Sequence, residues 1–214
     1  TLCTLTGVEK GFTAHSAPVV GPLSMEIRAS EILGIRGPNG AGKSTLMALM
    51  AGVLKPDAGH ISYAPDAESA IAYVPQELSL YSSMTGLENL RFWGYAAGLS
   101  GKVIKTRSLW LLQQLGLTDK AKAPVKTYSG GMKRRLHLAS ALMVTPKLLL
   151  LDEPTVGTDE DSRKAILNML MHLKERGCGI VFVTHQTQEL DVCDRILTLE
   201  QGRFTETEGL SCGI

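Results

Sequence analysis

The amino-acid sequence predicts an α/β domain whose sheet is mainly parallel and whose core is interrupted by an inserted helical lobe. Short leucine-rich or β-branched runs alternate with longer helical patterns along the chain. The runs Lys147-Leu148-Leu149-Leu150-Leu151-Asp152 and Gly179-Ile180-Val181-Phe182-Val183-Thr184 are too continuously apolar to be half-exposed, so they read as buried central strands. Between Gln76 and Pro146 the strand pattern stops and helical periodicity replaces it.

Taken in order, the first clear strand is Glu31-Ile32-Leu33-Gly34-Ile35-Arg36. It enters a glycine-rich turn and then a helix, Ser44 to Ala51, which Gly52 ends. Within the helical lobe, Thr106 to Leu115 carries helical spacing. Thr198 to Phe204 reads as a hairpin turned at Gln201-Gly202. At 214 residues the chain suits one core, or one core with an appended lobe. The expected division is a single domain over 1–214, with 1–76 and 146–214 as core and 77–145 as the helical lobe.

Composition narrows the function classes. The formal charge is +1, from 22 basic and 21 acidic side chains, so no overall field favours nucleic acid or anionic lipid. Cys3, Cys178, Cys193 and Cys212 lack paired spacing, which argues against a zinc site or a disulfide framework and fits a reducing setting. The apolar run Leu148 to Leu151 is far below the roughly 18 residues of a spanning helix. Thr1-Leu2-Cys3-Thr4 has no basic segment before an apolar block, so no secretory signal is expected.

The strongest motif is Gly37-Pro38-Asn39-Gly40-Ala41-Gly42-Lys43-Ser44, a phosphate loop placed between a strand and a helix as its mechanism requires. Glycines let backbone amides turn towards phosphate oxygens, and the helix start, with Ser44 and Thr45, adds free amides and a favourable dipole. Lys43 would reach the β and γ phosphates of ATP, and the Ser44 hydroxyl would ligate Mg²⁺. The alternative is an ordinary glycine-rich turn, which the strand and helix on either side disfavour.

A triphosphate also needs a metal partner and an activated water. Asp152 follows four leucines and should emerge at the strand's end, holding Mg²⁺ through a coordinated water. Glu153 comes next. Neighbours on an extended chain point to opposite sides, which assigns Glu153 to the water as general base. An acidic loop after a core strand is the plainer alternative.

Tyr128-Ser129-Gly130-Gly131-Met132-Lys133-Arg134-Arg135 resembles the signature motif of ABC ATPases. Ser-Gly-Gly alone would be read as a capped helix start, but it lies about 20 residues before Asp152, as in that family. The resemblance covers essentially the whole chain. It implies a RecA-like core with an N-terminal antiparallel β portion, and a nucleotide site in which Ser129, Gly130 and Gly131 face the γ-phosphate held by a partner subunit. It further implies that Phe12 stacks on adenine, that Gln76 touches Mg²⁺ and the attacking water, and that Asp159 lies in a loop at the dimer interface. His185 would contact the γ-phosphate. His15, His60, His137 and His172 have no such context and read as ordinary.

Two departures from the family pattern stand out: Met132 where glutamine is more usual, and Thr158 where leucine is more common. The segment Leu80 to Leu90 and the sequence Tyr-Ser-Gly-Gly-Met resemble the branch serving drug, polysaccharide, haem or lipid exporters. Expected partners are therefore transmembrane permease subunits, docking in a groove near Gln76 to Arg91, and a second ATPase subunit, at the cytoplasmic face of the membrane. No nucleic-acid partner is expected. A soluble ABC ATPase and a module that binds without hydrolysis are the competing readings. The first is disfavoured by only about 85 residues without heptads between loop and signature, and the second by the joint presence of Lys43, Asp152, Glu153 and His185.

Overall fold

Strands occur in two sheets. The computed structural model describes residues 1–13 and 17–209, with side chains through 205. His15 and Cys212 lie outside the described residues. β1 (Cys3–Lys10) is the middle strand of a three-stranded antiparallel sheet, flanked by β2 (Val20–Ile27) and by an edge strand, Ala58–Tyr63. β2 shows why it is a strand: Val20, Leu23, Met25 and Ile27 are buried, and from Leu23 onward they alternate with exposed residues.

The second sheet begins in sequence with β3 (Ile32–Arg36), followed in the chain by α1 (Lys43–Met50) and by the edge strand, β4. Further along come β5 (Ile71–Val74), β6 (Leu148–Asp152), β7 (Gly179–Val183), β8 (Arg195–Glu200) and β9 (Arg203–Gly209). Their spatial order is β5-β6-β7-β3-β8-β9. The pairs β6/β7, β7/β3 and β3/β8 are parallel, and β9 returns antiparallel to β8. Every residue of β6 and β7 is buried, as their unbroken apolar sequences require. The hairpin forms at the expected place, with Gln201 and Gly202 both in the left-handed region, φ 47° and 77°. Such values suit a two-residue hairpin turn.

The first strand begins one residue later than the sequence indicates. Glu31 instead stands between the turn at 29–30 and the strand: it accepts a hydrogen bond from the Arg28 amide at 3.0 Å and pairs with Arg195 at 2.8 Å. α1 packs against β6 and buries Leu46, Met47, Leu49 and Met50 in a core shared with β1, β2, β3 and β7. Full burial of one such side chain stabilises by about 1.5–3 kcal/mol.

Contacts divide the chain into two units: residues 1–73, 146–153 and 173–214, and residues 74–145 and 154–172. The second unit is helical. α2 (Gly86–Ala96) starts with a reciprocal cap between Thr85 and Glu88, α3 (Gly101–Gln114) follows, and α4 (Gly130–Ala141) packs on both. Leu90, Ile104, Leu111, Leu136 and Leu138 form its interior. The Arg107 guanidinium ties α3 to the end of α4, donating to the Leu142 and Val144 carbonyls at 2.7 Å each. α5 (Glu160–Glu175) starts in this unit, and α6 (Thr187–Leu190) belongs to the first. Among the described residues, no helix is long and apolar enough to cross a membrane.

Candidate functional site

In the first unit, the end of β3 and the start of α1 bracket the glycine-rich loop. Gly42 stands at the helix N-cap with φ 99°, and an added Cβ there would lie 2.6 Å from the Val19 carbonyl oxygen. Only glycine satisfies both conditions. No side chain caps α1, so its first amides are left to whatever occupies the loop. Lys43 is 7% exposed, and its ammonium donates to the Gly37 and Pro38 carbonyls at 2.9 Å each. Burial lowers its pKa, and the charges of Glu153 and Asp152 oppose that shift.

Asp152 closes β6 and is 2% exposed. Burial raises its carboxyl pKa, while a hydrogen bond from the Ser44 hydroxyl holds it down. Glu153 and Lys43 act on it with opposite signs. A buried carboxyl so placed favours a nearby cation.

Glu153 is not extended. Its φ is 50°, so the chain leaves β6 through a left-handed residue and strand alternation does not set the direction of the Glu153 side chain, which corrects the geometric reason given above. That conformation costs a non-glycine residue about 1–2 kcal/mol. Its amide donates to the Val183 carbonyl at 3.1 Å, and its Oε1 meets the His185 Nε2 at 2.7 Å. The ends of two adjacent parallel strands thus place Glu153 and His185 in contact. Phe12 is 60% exposed, with the Lys10 ammonium 5.9 Å from its ring centroid.

In the second unit, Ser129 is the N-cap of α4, and its hydroxyl accepts from the Met132 amide at 3.2 Å. Any residue but proline at 132 supplies that amide, so the methionine departure leaves the cap intact. Gly131 is required for a different reason. A Cβ there would lie 2.3 Å from the Ser162 hydroxyl and 2.5 Å from the Asp159 carboxylate. Asp159 in turn has both oxygens engaged by Ser162, from its amide at 2.8 Å and its hydroxyl at 2.9 Å. Those hydrogen bonds lower the Asp159 pKa. The Thr158 hydroxyl donates to the Thr155 carbonyl at 2.7 Å, closing the turn in a way leucine would not. The backbone carbonyl of Gln76 accepts from Arg134.

Sequence reasoning missed Ser162, Arg134 and the pair Thr184 and Glu189. Ser162 had a readable signal, a serine three residues after Asp159 at a helix start. His137 is a core residue that accepts from the Ser79 amide at 3.3 Å, and burial, with the nearby Arg134 charge, lowers its pKa to about 4. His172 lies against Trp110, ring centroids 5.7 Å apart. The buried thiols Cys3, Cys178 and Cys193 are free, and burial pushes each up to about 12, which keeps them protonated and unreactive.

A mainly parallel sheet, an uncapped helix behind a glycine loop, and carboxylates at the end of β6, two strands from β3 in the sheet, define a phosphate-loop ATPase cassette. Residues 20–156 match the ABC transporter family, and the chain belongs to that family and contains its ATP-binding domain. It is 42% identical to the linearmycin resistance ATP-binding protein LnrL of Bacillus subtilis over 87% of this chain and 63% of that protein. It is 41% identical to the Nod factor export ATP-binding protein I of Rhizobium sp. over 93% of this chain and 68% of that protein. The chain therefore spans about two thirds of the length of these curated relatives. The solved structure of an ATP-binding subunit of an ABC transporter superposes with a TM-score of 0.87 at 29% identity, covering 98% of this chain and 90% of that one. A dimeric post-hydrolysis cassette, MJ0796 bound to ADP and Pi, gives 0.88 at 26% identity with full coverage of both chains.

Proposed function

We propose that this chain acts as one domain that hydrolyses ATP to power a membrane exporter, as a cassette at the cytoplasmic face that pairs with a second cassette and with permease subunits. The observation that carries the reading is the cluster in the first unit: Lys43, the Ser44–Asp152 hydrogen bond and the Glu153–His185 contact, all at one end of a parallel sheet. The names of the relatives, linearmycin resistance and Nod factor export, support an export role. In such an assembly the permease would contact the cargo. The near-neutral charge leaves nucleic acid without an electrostatic argument.

Each residue then has a task. Phe12 stacks on adenine, and the amides from Gly37 to Thr45 cradle the phosphates with Lys43. Ser44 and Asp152 suit Mg²⁺, both being hard oxygen donors and the carboxylate being buried. Among the described residues no three His, Cys, Asp or Glu side chains form a metal cluster, as fits an ion held mostly by phosphates and water. Bound there, Mg²⁺ would offset phosphate charge. Gln76 assists at the ion and the attacking water, Glu153 accepts that water's proton, and His185 holds Glu153 and the γ-phosphate side in place. Ser129, Gly130, Gly131 and the Asp159 loop serve the nucleotide of the other cassette. An apolar cleft of about 310 Å³ beside Leu87, Arg91, Tyr95 and Ile104 fits docking of a permease segment near 76–91.

The test mixes a Lys43→Ala chain with a Ser129→Arg chain, each inactive alone. In the mixed dimer one shared site carries both lesions and the other neither, so partial ATPase activity returns. If activity stays absent although mixed dimers and ATP-dependent Ser129-to-Gly40 crosslinks form, both sites must fire together. If the crosslinks also fail, the shared-site reading is wrong.

A further inference from the structure

We propose that Glu189 is a positioning residue for His185, acting through the Thr184 hydroxyl to fix the turn that aims the imidazole at Glu153. This rests on the role given to His185 above.

Glu189 is fully buried, at 0% exposure, on the short helix that follows β7. A buried carboxyl is costly unless its oxygens are used. Here Oε2 accepts a hydrogen bond from Thr184, itself 2% exposed, while Oε1 has no partner among the described residues. An apolar side chain of similar size would fill this space without desolvating a carboxyl, so packing alone does not account for the residue.

The connections around it are local and closed. The Thr184 hydroxyl donates to Glu189 and accepts from the Gln186 amide at 3.1 Å. The Glu189 amide donates back to the Gln186 carbonyl at 3.0 Å, and the Thr184 amide donates to the Ile35 carbonyl at 3.3 Å. Residues 184, 186 and 189 are therefore tied to one another and to β3. The His185 side chain leaves this turn, reaching Glu153 at 2.7 Å with 37% of its side chain exposed. A hydroxyl is the hub because it serves as donor and acceptor at once. Without an acceptor at 189, the hydroxyl can rotate and the turn loses its fixed ring orientation.

Four variants of the full chain test this. Glu189→Gln and Thr184→Ser keep an acceptor and a hydroxyl, and should leave ATP turnover near wild type. Glu189→Met and Thr184→Val remove them, and should lower kcat by about tenfold or more, with KM for ATP unchanged, as misaimed catalytic groups do. In the same two variants the imidazole nitrogen resonances of His185 should move, a readout that loss of stability alone does not shift. In a His185→Ala background, Glu189→Met should cost nothing further. Unmoved resonances in both variants, or an equal fold-loss with and without His185, overturns the proposal. If Glu189→Met fails to fold, the Thr184→Val and Thr184→Ser pair decides. If His185→Ala leaves turnover intact, the functional role of His185 fails, while its resonances still decide whether Glu189 positions it.

Discussion

Two helices begin at glycine-rich motifs, and the chain treats their first amides in opposite ways. α1 has no side-chain cap, and its neighbours are a buried lysine and a buried carboxyl. α4 is capped by Ser129, and its glycine packs against an Asp159 whose oxygens are both satisfied by Ser162. The first region leaves the amides at its helix start without a side-chain cap, as a binding site for a charged ligand requires. The second completes its hydrogen bonds internally, which suits a rigid surface presented as a unit. Similar motifs thus serve different physical purposes, and the cap distinguishes them.

The largest effect expected from breaking the first region is at Glu153. Glu153→Gln should retain ATP binding and lower turnover by about 10²-fold or more, since an amide cannot accept the water's proton. Steady-state hydrolysis alongside nucleotide binding by the purified variant measures both, and near wild-type turnover would remove Glu153 from the base role.

Lys43→Ala should act one step earlier. Loss of a charged contact to the phosphates should weaken ATP affinity by about 10- to 100-fold, read by calorimetry. Unchanged affinity would contradict the assignment of the uncapped loop to phosphate.

The second region should respond in stability first. Gly131→Ala forces a methyl group against Ser162 and Asp159, and should destabilise by about 1–3 kcal/mol in a denaturation experiment. An unaltered midpoint would show that this contact yields without cost, and the contrast between a ligand-ready and a self-satisfied motif would weaken.

The last effect is seen only on acidification. The folded-state pKa of His137 lies at about 4, below its ordinary 6.5. Its contribution is therefore intact above pH 6.5 and is lost as pH falls towards 4, because the unfolded chain takes up the proton first; the loss is roughly 3 kcal/mol. His137→Gln, which keeps an acceptor for the Ser79 amide, should flatten the stability profile in that window.

The sequence exposes the parts whose chemistry depends on residue type at fixed spacing. The glycine loop, the four leucines before Asp152 and the Ser129-Gly130-Gly131 turn could all be placed, because apolar continuity and helix capping are local. The left-handed conformation of Glu153 could not. Its amide is held by the Val183 carbonyl, thirty residues downstream in sequence, a contact that no local pattern reveals. The edge strand, Ala58 to Tyr63, was also hidden, since its residues are mostly exposed or half-buried and show no strong alternation. Thr184 reads in the sequence only as the end of a buried strand and Glu189 belongs to no motif, so their pairing becomes visible only through their shared hydrogen bond.

The β8–β9 turn has a practical consequence. Although Gln201 sits exposed at the tip of a hairpin, the Gly202 amide donates to the Ala41 carbonyl inside the glycine loop at 3.1 Å. The Gly202 carbonyl accepts from Gly21 at 2.8 Å. A tag or reporter peptide spliced between 201 and 202 would therefore pull on the nucleotide cradle itself, whereas the turn at Gly98, where nothing crowds the backbone, is the natural port for such an insertion.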